Sequence, residues 1–118
     1  MAISKQTRLT VWLKYYKHCA YCGSEIEYKS MQVDHIKAKI LGGSDDISNL
    51  NPACFPCNNY KCHSSLEEFR RLTKQMLNDK LQYLFKSKTK MNVAINFGAI
   101  ELKQWDGIFY FEKFTKTK

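Results

Sequence analysis

The sequence predicts a small α+β fold organised around a metal knot, and three observations carry that prediction. Leu9, Trp12, Leu13 and Tyr16 recur at helical spacing near the N-terminus. Two Cys-x-x-Cys pairs, Cys19/Cys22 and Cys54/Cys57, bracket a middle segment of short apolar runs and turn residues. Between Asn92 and Phe114 the chain is rich in Ile, Val, Phe and Tyr, the composition of strands. At 118 residues the chain suffices for one modest core, and a single domain over 1–118 is expected.

Each element has its own local cause. The first is a helix over about Lys5 to Lys17, with Ser4 or Thr7 as its cap. The stretch CAYCG makes a knuckle-like turn ending at Gly23. A short strand passes through Met31, Val33 and His35, and the glycine-rich KILGGSDD is a loop closing near Ser48. A second strand over Asn49 to Ala53 returns beside the first. CFPCNNYKC starts a helix or a tight turn, and the capping box Ser65-x-x-Glu68 opens a long helix reaching about Phe85. Leu66, Phe69, Leu72 and Met76 form the apolar stripe of that helix. Asp106-Gly107, between Trp105 and Ile108, signals a hairpin. That register sets Glu101 opposite Glu112, an unfavourable pair, which leaves a longer loop open.

Composition narrows the function classes. Hydrophobic residues make up 44% of the chain, too many for intrinsic disorder. Lys and Arg number 19 against 11 Asp and Glu, a net charge of +8, which suits a partner that is nucleic acid or another anionic surface. No apolar run has the ~20 residues of a membrane span, and the N-terminal stretch lacks a secretory h-region, so a soluble intracellular protein is expected.

In a reducing compartment, matched cysteine pairs are metal ligands more often than disulfides. Two such turns complete a closed four-thiolate zinc site with no position open for water, which is structural rather than catalytic. A thioredoxin-like redox role would need a surrounding βαβ pattern, which is absent. A zinc deaminase would need His-x-Glu and Pro-Cys-x-x-Cys, but no histidine is followed by Glu two positions on, and Ala53 separates Pro52 from Cys54. Cys62 is left over.

Between and just after these pairs lie Asp34-His35 on the first strand, Asn49 at the start of the second, and Asn58 directly after Cys57. Taken singly, Asp34 reads as a turn residue, Asn49 and Asn58 as caps, and His35 as a partly buried strand residue. Together, the stretch VDHIKAKILGGSDDISNLNPACFPCNNYK resembles the HNH endonuclease family. The first family histidine corresponds to His35, the central asparagine to Asn49 and the third position to Asn58, an H-N-N variant. Gly42-Gly43 corresponds to the loop glycines, and the four cysteines to the zinc-containing branch. The resemblance covers about Cys19 to Arg70.

The resemblance implies a ββα-metal core acting on DNA, with His35, Asn49, Asp34 and Asn58 as its catalytic group. Histidine has an unperturbed pKa of ~6.5, so its neutral form can take a proton from water near pH 7, and His35 stands directly beside a carboxylate. Asp34 and Asn58 offer hard oxygen donors to a catalytic Mg²⁺ or Mn²⁺, beside the structural Zn²⁺ on the cysteines. Asn49 is expected to clamp the loop through backbone hydrogen bonds and so orient His35. Lys37, Lys39, Lys61, Arg70, Arg71 and Lys74 are the candidate contacts to DNA phosphates, fixing position on duplex DNA without reading sequence.

The competing readings are a non-catalytic zinc-ribbon nucleic-acid-binding module and an accessory subunit of a larger DNA-processing machine. The chain also resembles small phage-encoded HNH proteins that work beside packaging enzymes, which implies the cytoplasm of a bacterial or phage-infected cell.

Overall fold

A computed structural model describes residues 3–77, 87–99 and 105–115. The chain divides into two compact units, one of residues 1–69 with 108–118 and the other of residues 70–107.

The first unit opens with helix α1, Lys5–Leu13, where the Ser4 hydroxyl accepts the Thr7 N–H at 3.1 Å. The helix stops four residues short of Lys17, because Tyr16 and Lys17 both take positive φ and turn the chain over. Its buried face is also displaced from the expected stripe. Val11 is buried with Trp12 beside it, whereas Leu9, Leu13 and Tyr16 are exposed. The choice of face follows from polar anchors. The Trp12 indole N–H donates to Ile26 O at 2.9 Å, and the Arg8 guanidinium donates to Tyr28 O and Met31 O, each at 2.7 Å.

Strands β1, Gln32–His35, and β2, Leu50–Ala53, pair antiparallel with Val33 opposite Pro52, Asp34 opposite Asn51 and His35 opposite Leu50. Val11, Met31 and Leu50 form the core under this ribbon, with Ile3, Trp12, Ile26 and Val33 packed around them. Burying each of the three central side chains contributes roughly 1.5–3 kcal/mol. Helix α2, Phe55–Lys61, follows β2 directly, with Pro56 in its first turn, where the missing N–H costs nothing. These two strands and α2 make the ββα core that the sequence implied.

Helix α3, Leu66–Gln75, starts where expected, with the Ser65 hydroxyl accepting the Glu68 N–H at 3.1 Å. Its continuation toward Phe85 lies outside the described residues.

Among the described residues the C-terminal segment forms no strand, and residues 100–104 of the expected hairpin lie outside them. Residues Lys88–Asn96 are helix α4, capped by the Ser87 hydroxyl on Lys90 N–H, and Glu112–Thr115 are a short helix, α5. The aromatic residues that suggested strands pack instead in the first unit. Tyr21, Phe69, Phe109 and Phe111 form a ring cluster, with Phe69 stacked on Phe109 at 5.1 Å and Tyr21 edge-on to both. Phe111 N–H donates to Ala20 O at 2.7 Å, so the tail docks on the cysteine knuckle rather than on a partner strand. Within the second unit, Arg70 donates to Gly107 O at 2.6 Å. No described helix is long and apolar enough to cross a membrane.

Candidate metal centre and active site

The four cysteines meet as their spacing implied. The first pair lies on a turn closed by Cys19 N–H to Ser24 O and Gly23 N–H to Cys19 O. The Tyr21 N–H points at the Cys19 sulfur, 3.4 Å away. The second pair sits at the start of α2, with Cys54 as its N-cap residue and Cys57 in its first turn. Ala20 N–H donates to Pro52 O at 2.8 Å, which ties the first knuckle to β2 and so to the second pair.

The four sulfurs lie within 4.8 Å of one another, and Cys22 Sγ is 3.8 Å from Cys54 Sγ. A tetrahedron with Zn–S bonds of ~2.3 Å has edges of about 3.8 Å. The group is therefore placed to hold a metal ion, and an all-thiolate donor set suits zinc. The thiols also feel their crowding. Hydrogen bonds with Cys19 and Cys22 push the Cys57 thiol up, and the hydrogen bond with Cys19 holds the Cys22 thiol down.

An open pocket of about 430 Å³ is lined by Asp34, His35, Lys39, Ile40, Asn58 and His63, among others. Three of the four residues expected to do chemistry thus share one pocket, since β1 carries Asp34 and His35 and α2 carries Asn58. The fourth, Asn49, lies behind it and performs the expected clamp. Its Oδ1 accepts Lys37 N–H at 2.9 Å, and its Nδ2 donates to Lys37 O at 3.0 Å and Ser44 O at 2.8 Å. Asn49 is the last residue of a 3₁₀ turn, one position before β2 begins.

Two partners of the pocket's side chains were missed from sequence. His35 Nε2 lies 2.7 Å from Asp45 Oδ1. The hydrogen bond with His35 holds the Asp45 carboxyl below its ordinary range, so the carboxylate accepts and Nε2 carries the proton. In a neutral imidazole so bonded, the lone pair is on Nδ1. No local pattern in the loop signalled Asp45. Tyr21 was read only as part of the knuckle, yet its hydroxyl donates to Asp34 Oδ2 and receives the Asn51 amide at 3.4 Å. Burial pushes the Tyr21 hydroxyl well above its usual range.

Lys61 requires a correction. It was expected among the phosphate contacts, but its side chain is fully buried. Its Nζ lies 3.2 Å from Asp34 Oδ2 and donates to His35 O at 3.0 Å and Ile36 O at 3.2 Å. It ties the end of β1 to α2 and balances the charge of Asp34, whose carboxyl burial raises and whose bonds to Tyr21 and Lys61 lower. Of the other candidate cations, Lys37 and Lys39 are exposed on the pocket loop, and Lys39 Nζ lies 3.1 Å from Asp45 Oδ2. Arg70, Arg71 and Lys74 lie on α3 within the second unit, with Arg70 half-buried on its Gly107 bond.

The structure is thus a ββα ribbon beside four clustered cysteines, with Asp34, His35 and Asn58 lining one cleft. Residues 19–66 match the family model described as HNH endonuclease. No curated protein matches the chain. A match to that family suggests nuclease activity in general and a nucleic-acid substrate.

Proposed function

We propose that this protein is a metal-dependent DNA endonuclease in which His35 is the general base. The observation that carries this reading is the 2.7 Å contact between Asp45 Oδ1 and Nε2 of His35, a residue that lines one pocket with Asp34 and Asn58. Asp45 holds the imidazole in the tautomer that accepts a proton at Nδ1 from water. Asn49 holds the loop that carries Asp45, so the base and its orienting carboxylate keep their separation.

The carboxylate of Asp34 and the amide oxygen of Asn58 form a thin, hard donor set, which fits Mg²⁺ or Mn²⁺ completed by water and phosphate oxygens. When bound, the cation supplies charge neutralisation at the scissile phosphate. Asp34 also carries Lys61, so cation binding should be weak and require excess metal. Zinc at Cys19, Cys22, Cys54 and Cys57 serves the fold, holding both ends of the ribbon together. The exposed Lys37 and Lys39 meet the phosphates of double-stranded DNA.

A second reading, a non-catalytic zinc-ribbon DNA-binding module, draws support from the engagement of Asp34 with Tyr21 and Lys61. Incubating the protein with supercoiled plasmid separates the two. The endonuclease produces nicked or linear DNA only when Mg²⁺ or Mn²⁺ is added, whereas a binding module shifts the plasmid in a gel and leaves it intact.

A further inference from the structure

Tyr21 stands between the two ligands of the first cysteine pair, yet its hydroxyl reaches the pocket's carboxylate. It donates to Asp34 Oδ2 and receives the Asn51 amide at 3.4 Å. Asn51 lies opposite Asp34 across the ribbon. An amide nitrogen only donates, so the phenol's own proton goes to Asp34. The ring has little room to shift on its own. Tyr21 is 3% exposed, and its ring meets Phe69, Phe109 and Phe111 edge-on, with centroids 5.3, 5.3 and 5.8 Å away. The main chain is held as closely. Tyr21 N–H points at Cys19 Sγ, Tyr21 O accepts Tyr110 N–H at 3.2 Å, and the adjoining Ala20 bonds Pro52 and Phe111. The position of the hydroxyl is therefore set by the cysteine knuckle.

The carboxylate it meets has two unequal oxygens. Oδ2 takes the Tyr21 hydroxyl and Lys61 Nζ, the latter at 3.2 Å. Among the described residues, the hydrogen-bond partner of Oδ1 is Lys61 Nζ alone, at 3.4 Å. Lys61 reaches both oxygens and so does not distinguish them. Tyr21 does, because it binds Oδ2 only, and Oδ1 keeps the capacity to accept a further partner.

We propose that Tyr21 is a positioning residue that couples the four-cysteine site to the cation site, its hydroxyl fixing Asp34 Oδ2 so that Oδ1 is left for the divalent cation. This rests on the endonuclease reading, which places that cation at Asp34 and Asn58. The zinc knuckle then has a consequence besides holding the ribbon, since its geometry sets the carboxylate. Removing a group that orients a metal's ligand typically costs about 10- to 100-fold in metal affinity. The coupling is reciprocal, so filling the cation site should be felt at the cysteines.

The test reads cation binding without cleavage. Full-length zinc-loaded protein is titrated with Mn²⁺ in the absence of DNA, and free Mn²⁺ is measured by electron paramagnetic resonance. Tyr21→Phe keeps the ring and removes only the hydroxyl. It should bind Mn²⁺ about 10- to 100-fold more weakly than wild type, with its zinc retained by elemental analysis. In an Asp34→Ala background the same substitution should change Mn²⁺ affinity no further, because the group it positions is gone. A further loss there would place the effect of Tyr21 elsewhere and overturn the proposal. So would Tyr21→Phe affinity equal to or above wild type, and if Asp34→Ala still loses Mn²⁺ the endonuclease reading stands. Wild type that binds no Mn²⁺ would also overturn the proposal, and if it leaves plasmid uncut in Mn²⁺ the endonuclease reading falls with it. Should Tyr21→Phe not hold zinc, wild type answers instead. With NMR-active cadmium on its cysteines, the cadmium resonance should move on saturation with Mg²⁺, and an unmoved resonance would overturn the coupling.

Discussion

Replacing Lys61 with methionine isolates the buried ion pair beneath the pocket. Met keeps most of the aliphatic stem but removes the ammonium that faces Asp34 Oδ2 at 3.2 Å and two main-chain carbonyls at 3.0 and 3.2 Å. Asp34 is itself buried, so the variant leaves a carboxylate with only Tyr21 as a close partner. Breaking one side of such a pair costs about 3–5 kcal/mol, a large part of the ~5–15 kcal/mol by which a domain is stable. With a urea m-value of ~1–3 kcal/mol/M, the unfolding midpoint should fall by about 1–5 M. The assay is urea unfolding in zinc-containing buffer, followed by Trp fluorescence.

The pH dependence of that loss has a definite sign. Burial raises the Asp34 carboxyl above its ordinary 3.8, so its contribution to stability is present in acid and is lost as pH rises through the raised value. Removing Lys61 raises it further, so the variant should differ from wild type less at acidic pH than at neutral pH. Asp34→Asn with Lys61→Met leaves neither charge, and should recover more than half of the loss. If Lys61→Met unfolds within about 0.5 kcal/mol of wild type at neutral pH, the buried pair does not hold the strand and helix together, and the reasoning fails.

Other consequences are local. Asp45→Ala removes the group that orients His35, so plasmid cleavage should slow while the urea midpoint stays near wild type; equal rates would remove Asp45 from the mechanism. Cys54→Ser should lose zinc by elemental analysis and with it the fold, whereas Cys62→Ser should lose neither. Gly43→Ala forces the loop open at the Lys37 carbonyl, so it should cut activity far more than it weakens binding to DNA, measured by mobility shift at the same salt concentration.

What could be read from sequence follows from how local its causes are. The cysteine spacing specifies a donor set whatever surrounds it, and the four sulfurs converge. Asp34, His35 and Asn58 were named because their order along the chain is a motif, and the ribbon and α2 bring them to one pocket. Asn49 was assigned its clamp for the same reason. The failures are non-local. Lys61 counts as a surface cation by composition, and only the packing of α2 on β1 buries it against Asp34. Phe109 and Phe111 have strand propensity, but they satisfy it in a ring cluster with Tyr21 and Phe69 rather than in a hairpin. The stripe Leu9, Leu13 and Tyr16 has helical period, yet the bonds of Arg8 and Trp12 decide that Val11 faces the core. Asp45 reaches His35 from ten positions further along the chain, across a loop whose closure no local pattern states.

The central claim is that His35 moves a proton during phosphodiester cleavage. The most direct test compares wild type with His35→Ala on supercoiled plasmid across a titration of Mg²⁺ or Mn²⁺, with zinc content and DNA affinity measured on the same samples. The account predicts a loss of about 10²- to 10⁴-fold in cleavage rate that excess metal does not restore, with zinc and DNA binding retained. His35→Ala protein cutting as fast as wild type in the same metal would contradict it.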